Sequence, residues 1–288
     1  MERYNKAFYE SQMDESRISA KEVLPILFST LQLVPKSVID VGCGTGSWLT
    51  EFLASGVEEI LGVDGDYVDR NMLQFPPEFF VPHDLSKSLP NELIKRYDLA
   101  VSLEVAEHIP FEVAEDFVHQ LTTLSDYILF SAAVPYQGGT GHVNEQWPEY
   151  WAAYFKAHGY VAVDVFRSKL WDNQNVCWWY RQNLLLFVHE NQIESLNINQ
   201  NLSTDSLSLV HPELYLWACA RGSTKREREY PADLKNLHYL QSNKNTYKVK
   251  SESLKRYSEE FEMHYFSTKA SALLSKTLKL LNIAIKRS

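Results

Sequence analysis

One stretch constrains this chain more than any other. The run Val38-Ile39-Asp40-Val41-Gly42-Cys43-Gly44-Thr45-Gly46 leads straight into Ser47-Trp48-Leu49-Thr50-Glu51-Phe52-Leu53. An apolar run that short suits a buried strand, and the residues after Gly46 suit a helix. Three alternating glycines between them allow a sharp turn and a backbone that a ligand can approach where a Cβ would collide. About twenty residues on, Ile60-Leu61-Gly62-Val63-Asp64 reads as a second strand ending in an acid, the place where a carboxylate accepts hydrogen bonds from ribose hydroxyls.

Short apolar runs then alternate with helical stretches. Ser37 to Val41, Glu59 to Val63, Phe79 to Val81, Leu99 to Leu103 and Tyr127 to Ser131 are expected strands, followed by Tyr160 to Phe166 and Asn183 to Val188. Helices are expected over Ala20 to Leu33, with an N-cap at Ser19, and over Trp147 to His158. Such alternation predicts an α/β fold, a seven-stranded, mostly parallel sheet flanked by helices. At 288 residues there is room for an appendage. A first domain over 1–190 is expected, with Phe8, Tyr9, Glu10, Ser11 and Gln12 in a lid ahead of the first helix. The Asn-, Ser- and Gln-rich stretch 190–208 reads as a solvated linker, and 191–288 as linker plus C-terminal helical extension.

Taken together, Asp40 to Gly46 resembles motif I of the class I S-adenosylmethionine-dependent methyltransferases, and Asp64, Asp84-Leu85 and Tyr97 to Glu104 resemble their next three motifs in order. The resemblance runs over roughly residues 5 to 190 and implies a Rossmann-like sheet with S-adenosylmethionine as cofactor. It implies that Asp40, Gly42, Gly44 and Gly46 lie at the methionine part, that Asp64 holds the ribose, that Asp84 and Leu85 flank the adenine, and that Glu104 faces the methionine end. Nicotinamide-dependent oxidoreductases share the strand-glycine-helix plan, but their third glycine would stand where this chain has Ser47. A cofactor-binding module without turnover is a further alternative.

The acceptor end carries Leu103-Glu104-Val105-Ala106-Glu107-His108-Ile109, where enzymes acting on exocyclic amines of DNA bases have an Asn-Pro-Pro-Tyr element. If helical, this segment would put Glu104, Glu107 and His108 on one face, a donor set suited to a divalent cation. The Glu-x-x-Glu-His spacing looks like that of small-RNA 2′-O-methyltransferases and ubiquinone-pathway O-methyltransferases, in which a later histidine completes a metal site. His142, in Gly138-Gly139-Thr140-Gly141-His142, is the candidate for that ligand. The reading is then O-methylation of a small acceptor, a sugar or glycan precursor, assisted by a metal on Glu104, Glu107, His108 and His142. In the metal-free alternative His108 is the general base. Trp147, Tyr150, Trp151 and Tyr154, then Trp171, Trp178, Trp179 and Tyr180, are core residues or walls of an acceptor pocket.

A net charge of −9 supplies no basic field for nucleic acid, which makes it a poor partner. Cys43, Cys177 and Cys219 form no CxxC pair and fit a reducing cytoplasm, and no stretch reads as a signal peptide or membrane span. Residues 268–288 combine Lys269, Lys276, Lys279, Lys286 and Arg287 with the stripe Leu274, Leu278, Leu281 and Ile285. They are expected to form a basic amphipathic helix that contacts the protein, a second subunit or a membrane surface.

Overall fold

The computed structural model describes residues 6–198 and 207–223. They belong to one compact unit, and the amphipathic helix expected over 268–288 lies outside the described residues. In chain order the elements are α1 (Lys6–Leu31), β1 (Ser37–Val41), α2 (Ser47–Ala54), β2 (Glu59–Asp64), β3 (Phe80–Pro82), β4 (Leu99–Leu103), α3 (Ala114–Leu124) and β5 (Tyr127–Ser131). There follow α4 (Pro148–Ala157), β6 (Tyr160–Val163), α5 (Arg167–Leu170), α6 (Trp178–Asn183), β7 (Leu185–His189) and α7 (Pro212–Ser223).

The sheet order is β3-β2-β1-β4-β5-β7-β6, parallel except for β7, which runs antiparallel to both neighbours. This is the Rossmann-like arrangement of class I methyltransferases. Side chains alternate between the two faces as strand geometry requires. Val38, Leu99, Leu129 and Leu186 pack with α1 and α2 through Leu24, Leu27, Leu49 and Phe52. Ile39, Ala100, Phe130 and Phe187 pack on the other face with Phe117, Leu121, Trp151 and Phe155 of α3 and α4. The central strands are covered on both sides, which is why they read as unbroken apolar runs. The chain runs outward from β1 through β2 to β3, then returns to β4 on the other side of β1. The crevice opens at that reversal, beyond the carboxyl ends of β1 and β4.

Two expectations change. α1 begins at Lys6, so the segment before Ser19 is helical backbone and Ser19 is not a cap. Its hydroxyl donates to the Glu15 carbonyl at 2.8 Å, a mid-helix bond, and accepts from the Cys177 amide at 2.9 Å. Residues 190–198 are largely exposed, yet they are fastened to the sheet domain: Leu196 is buried, Ile193 packs on the core, and the Asn197 amide donates to the Thr30 carbonyl at 2.8 Å. Those two apolar residues anchor an otherwise polar stretch.

Candidate functional site

A cavity of about 1020 Å³ lies at the carboxyl ends of the strands. The glycine turn forms its floor, but two of the glycines answer to the protein's own side chains. Gly42 and Gly46 have φ of 95° and 82°. A Cβ on Gly42 would stand 2.1 Å from Val105 Cγ2, and one on Gly46 would stand 2.0 Å from Phe75 Cδ1. Gly46 does not line the cavity, and both packing and handedness call for a glycine there. Every other residue singled out in the sequence as a cofactor, metal or catalytic candidate does line it.

Asp64 ends β2 with one oxygen accepting from the Gly44 amide at 2.7 Å and the other from the Gly65 amide and the Tyr67 hydroxyl, both at 2.6 Å. Asp40 is buried next to it. Burial, and then the charge of Asp64, hold the Asp40 carboxyl well above the ordinary aspartate range. Burial also raises Asp64, against the pull of its three donors. Asp84 stands at the rim with its pKa lowered to about 2, chiefly by the Ser86 hydroxyl. A cationic group bound beside these carboxyls would favour their ionised forms and be stabilised by them.

The segment after β4 is not the helix that would align three side chains. Glu104 takes a left-handed φ of 56°, and a single 3-10 turn covers Ala106–His108. Two different groups result. The Glu104 carboxylate faces Gln137 Nε2 at 2.8 Å and Asn183 Nδ2 at 3.0 Å. Burial raises its pKa, opposed by Asn183 and Gln137. Glu107, His108 and His142 instead converge, each offering a ligand atom within 4.8 Å of the others. Glu104 is outside that triad.

His142 is brought there by the Glu107 carbonyl, which accepts the amides of Val143 and Asn144, both at 2.9 Å. Its Nε2 stands 3.9 Å from Glu107 Oε1, and its ring meets His108 edge-on with centroids 4.8 Å apart. Both Glu107 carboxylate oxygens are buried without a hydrogen bond of ordinary geometry, although the backbone amides of Glu107 and Ala133 lower the carboxyl's pKa. Burial and then Glu104 push the Glu107 carboxyl well up. A buried carboxyl beside two imidazoles and without a proper donor fits a divalent cation.

Trp178, Trp179 and Tyr180 line the cavity, and Trp48 Nε1 donates to the Tyr180 hydroxyl at 3.2 Å. Trp151 is core, packed on Phe130. The sequence reading missed Gln137 and Asn183, which hold Glu104, and Glu145, which holds His142 Nδ1 at 2.8 Å. Glu145 follows His142 by three residues in the same glycine-rich loop, a local signal; Asn183 is 79 positions from Glu104 and had none.

The profile of a family described as a methyltransferase domain matches residues 9–165. None of the curated proteins matches. Among solved structures, magnesium protoporphyrin IX methyltransferase from Synechocystis PCC 6803 with bound SAM is 18% identical, with 65% of this chain and 85% of that one covered and a TM-score of 0.46. The methyltransferase domain of a bacterial Hen1 is 20% identical, covering 59% of this chain and 95% of its own, at a TM-score of 0.42. An O-methyltransferase family protein from Burkholderia thailandensis is 12% identical over 64% of this chain and 58% of its own, at 0.44.

Proposed function

Since the chain belongs to this family of methyltransferase domains and is an S-adenosylmethionine-dependent methyltransferase, we propose that it methylates a hydroxyl of a small acceptor, a sugar or glycan precursor, beside a divalent cation held by Glu107, His108 and His142. Gly42 and Gly44 lie against the methionine part of the cofactor, Asp64 holds the ribose, Asp84 and Leu85 flank the adenine, and Asp40 and Glu104 face the methionine end. The acidic lining suits a cofactor that carries a sulfonium and an ammonium group, and it opposes the pyrophosphate of a nicotinamide dinucleotide.

The acceptor oxygen attacks the methyl carbon in line as the carbon–sulfur bond breaks. The electron pair stays on sulfur, which becomes a neutral thioether, and the hydroxyl proton passes from the acceptor to solvent or, in the metal-free reading, to an imidazole. Placing these atoms together accounts for most of the rate. A bound cation would lower the pKa of the acceptor hydroxyl. Trp178 and Trp179 offer flat apolar faces to a ring, and Gln137 with Asn183 fixes Glu104 toward the cofactor. The observation that carries the cation is the pair of Glu107 oxygens buried without proper donors.

A metal-free variant with an imidazole as base is a second reading. The Glu145 carboxylate on His142 Nδ1 favours His142 over His108 for that role. Calorimetry on chelator-treated protein separates the two readings, with S-adenosylhomocysteine titrated first and then magnesium, manganese, cobalt and zinc. Stoichiometric metal binding lost in His108→Ala and His142→Ala supports the cation, and cofactor binding without metal leaves the base. A reducing cytoplasm is the proposed setting. Among the described residues no helix is long and apolar enough to cross a membrane.

A further inference from the structure

Glu145 is the hub of the loop that carries His142. Its Oε1 lies 2.8 Å from His142 Nδ1 and accepts from the Gly138 amide at 2.5 Å, and its Oε2 accepts from the Tyr136 amide at 2.8 Å. Backbone amides only donate, so both carboxylate oxygens act as acceptors. The remaining partner, Nδ1, must therefore bring the hydrogen. A neutral imidazole has one N–H and one lone pair, so the lone pair of His142 falls on Nε2. That atom is the one that stands 3.9 Å from Glu107 Oε1. Nε2 thus offers its lone pair to the Glu107 side, and a cation placed between the two would have a ligand atom on each side.

Packing keeps the ring in place. A Cβ on Gly139 would stand 2.1 Å from His142 Nε2, so the ring lies directly over that glycine. We propose that Glu145 is a positioning residue that fixes His142 as the Nδ1–H tautomer and presents the Nε2 lone pair to the Glu107 side of the cavity. The role rests on reading the Glu107, His108 and His142 cluster as the place where the acceptor is activated. Carboxylates that hold the far nitrogen of a metal-binding histidine commonly strengthen binding by roughly 10–100-fold.

The test uses the full chain loaded with S-adenosylhomocysteine and freed of metal, with ¹⁵N-labelled histidine rings and His142→Asn to assign the signals. Long-range ¹⁵N–¹H spectra are expected to show neutral His142 as Nδ1–H. Glu145→Leu is expected to populate the Nε2–H form and to weaken manganese binding by roughly 10–100-fold, with S-adenosylhomocysteine affinity unchanged. The anchoring of Val143 and Asn144 on the Glu107 carbonyl does not involve residue 145, so the loop has a second hold in the variant.

An Nε2–H ring in the unaltered protein would overturn the proposal, and that spectrum decides it even where the variant does not fold. Manganese binding as tight in Glu145→Leu as in the unaltered protein would overturn it as well. An unaltered chain that binds no manganese at all would instead refute the cation reading, with the tautomer still decided by the spectrum.

Discussion

Asp40 shows how a single residue can set binding against stability. Its folded-state pKa is raised, first by burial and then by Asp64. Ionisation therefore works against the fold: the relative stability is fully present below the unfolded value of about 3.9 and is lost as pH rises to the raised folded value. Asp40→Asn removes that loss. Its stability relative to the unaltered protein is expected to climb from pH 4 to 7, reaching a gain of about 1–2 kcal/mol that shows as a rise in melting temperature. Affinity for S-adenosylmethionine is expected to fall about tenfold, the worth of one charge-assisted hydrogen bond. Scanning calorimetry at several pH values checks the first half, and a difference that stays flat would mean that the Asp40 carboxyl titrates in the fold as it does in the unfolded chain. Tyr67 makes a second case, since its hydroxyl holds the Asp64 oxygen that also accepts from Gly65. With Asp64 as the ribose acid, that hydroxyl competes with the ribose for the carboxylate. Tyr67→Phe is then expected to bind S-adenosylhomocysteine a few-fold more tightly, about 0.5–1.5 kcal/mol for one hydrogen bond. Weaker binding would place the hydroxyl in contact with the nucleoside.

At the scale of elements, the turn from β1 into α2 joins fold and site. Gly42→Ala sets a Cβ against Val105 and forces an L side chain into a φ of 95°. Overpacking costs about 1–3 kcal/mol, with a further 1 kcal/mol or so for the backbone. Adding Val105→Ala is expected to recover the first part and not the second, so a double variant as unstable as the single one would show that the steric account is wrong. The strands around this turn were readable because burial on both faces leaves apolar runs. Their ends were less so: β6 stops at Val163 and β7 starts at Leu185, where loops carry equally apolar residues. Ser19 looked like a cap because a serine before an apolar helical stripe serves equally well in mid-helix when it bonds back one turn. The Glu-x-x-Glu-His spacing pointed to the right neighbourhood, yet the split between Glu104 and the Glu107 cluster follows from one left-handed φ that a glutamate seldom adopts and no pattern announces.

At the scale of the molecule, α6 links the cavity to the chain beyond the sheet. Its first residues, Trp178, Trp179 and Tyr180, line the cavity, and its last, Asn183, holds Glu104. Between them Arg181 and Gln182 face the segment 207–213. Arg181 is buried and grips both Glu213 oxygens at 3.0 and 2.9 Å, and Gln182 bonds Leu209 and His211. Arg167, also buried, donates to the Leu207 carbonyl at 2.5 Å. The described residues after 206 thus satisfy two guanidinium groups that the sheet domain alone would leave short of partners. A chain ended at residue 198 is expected to lose about 3 kcal/mol relative to one ended at 224, since the buried Arg167 and Arg181 guanidinium groups each lose charge-assisted hydrogen bonds of about 1.5 kcal/mol. For a domain of this size that is a fall in melting temperature of roughly 6–12 °C. Because Asn183 sits on the same helix, S-adenosylhomocysteine binding should weaken with it. Equal melting temperatures for the two chains would mean that α6 is held by the sheet alone, and unequal ones with equal affinity would confine the effect of 207–213 to stability.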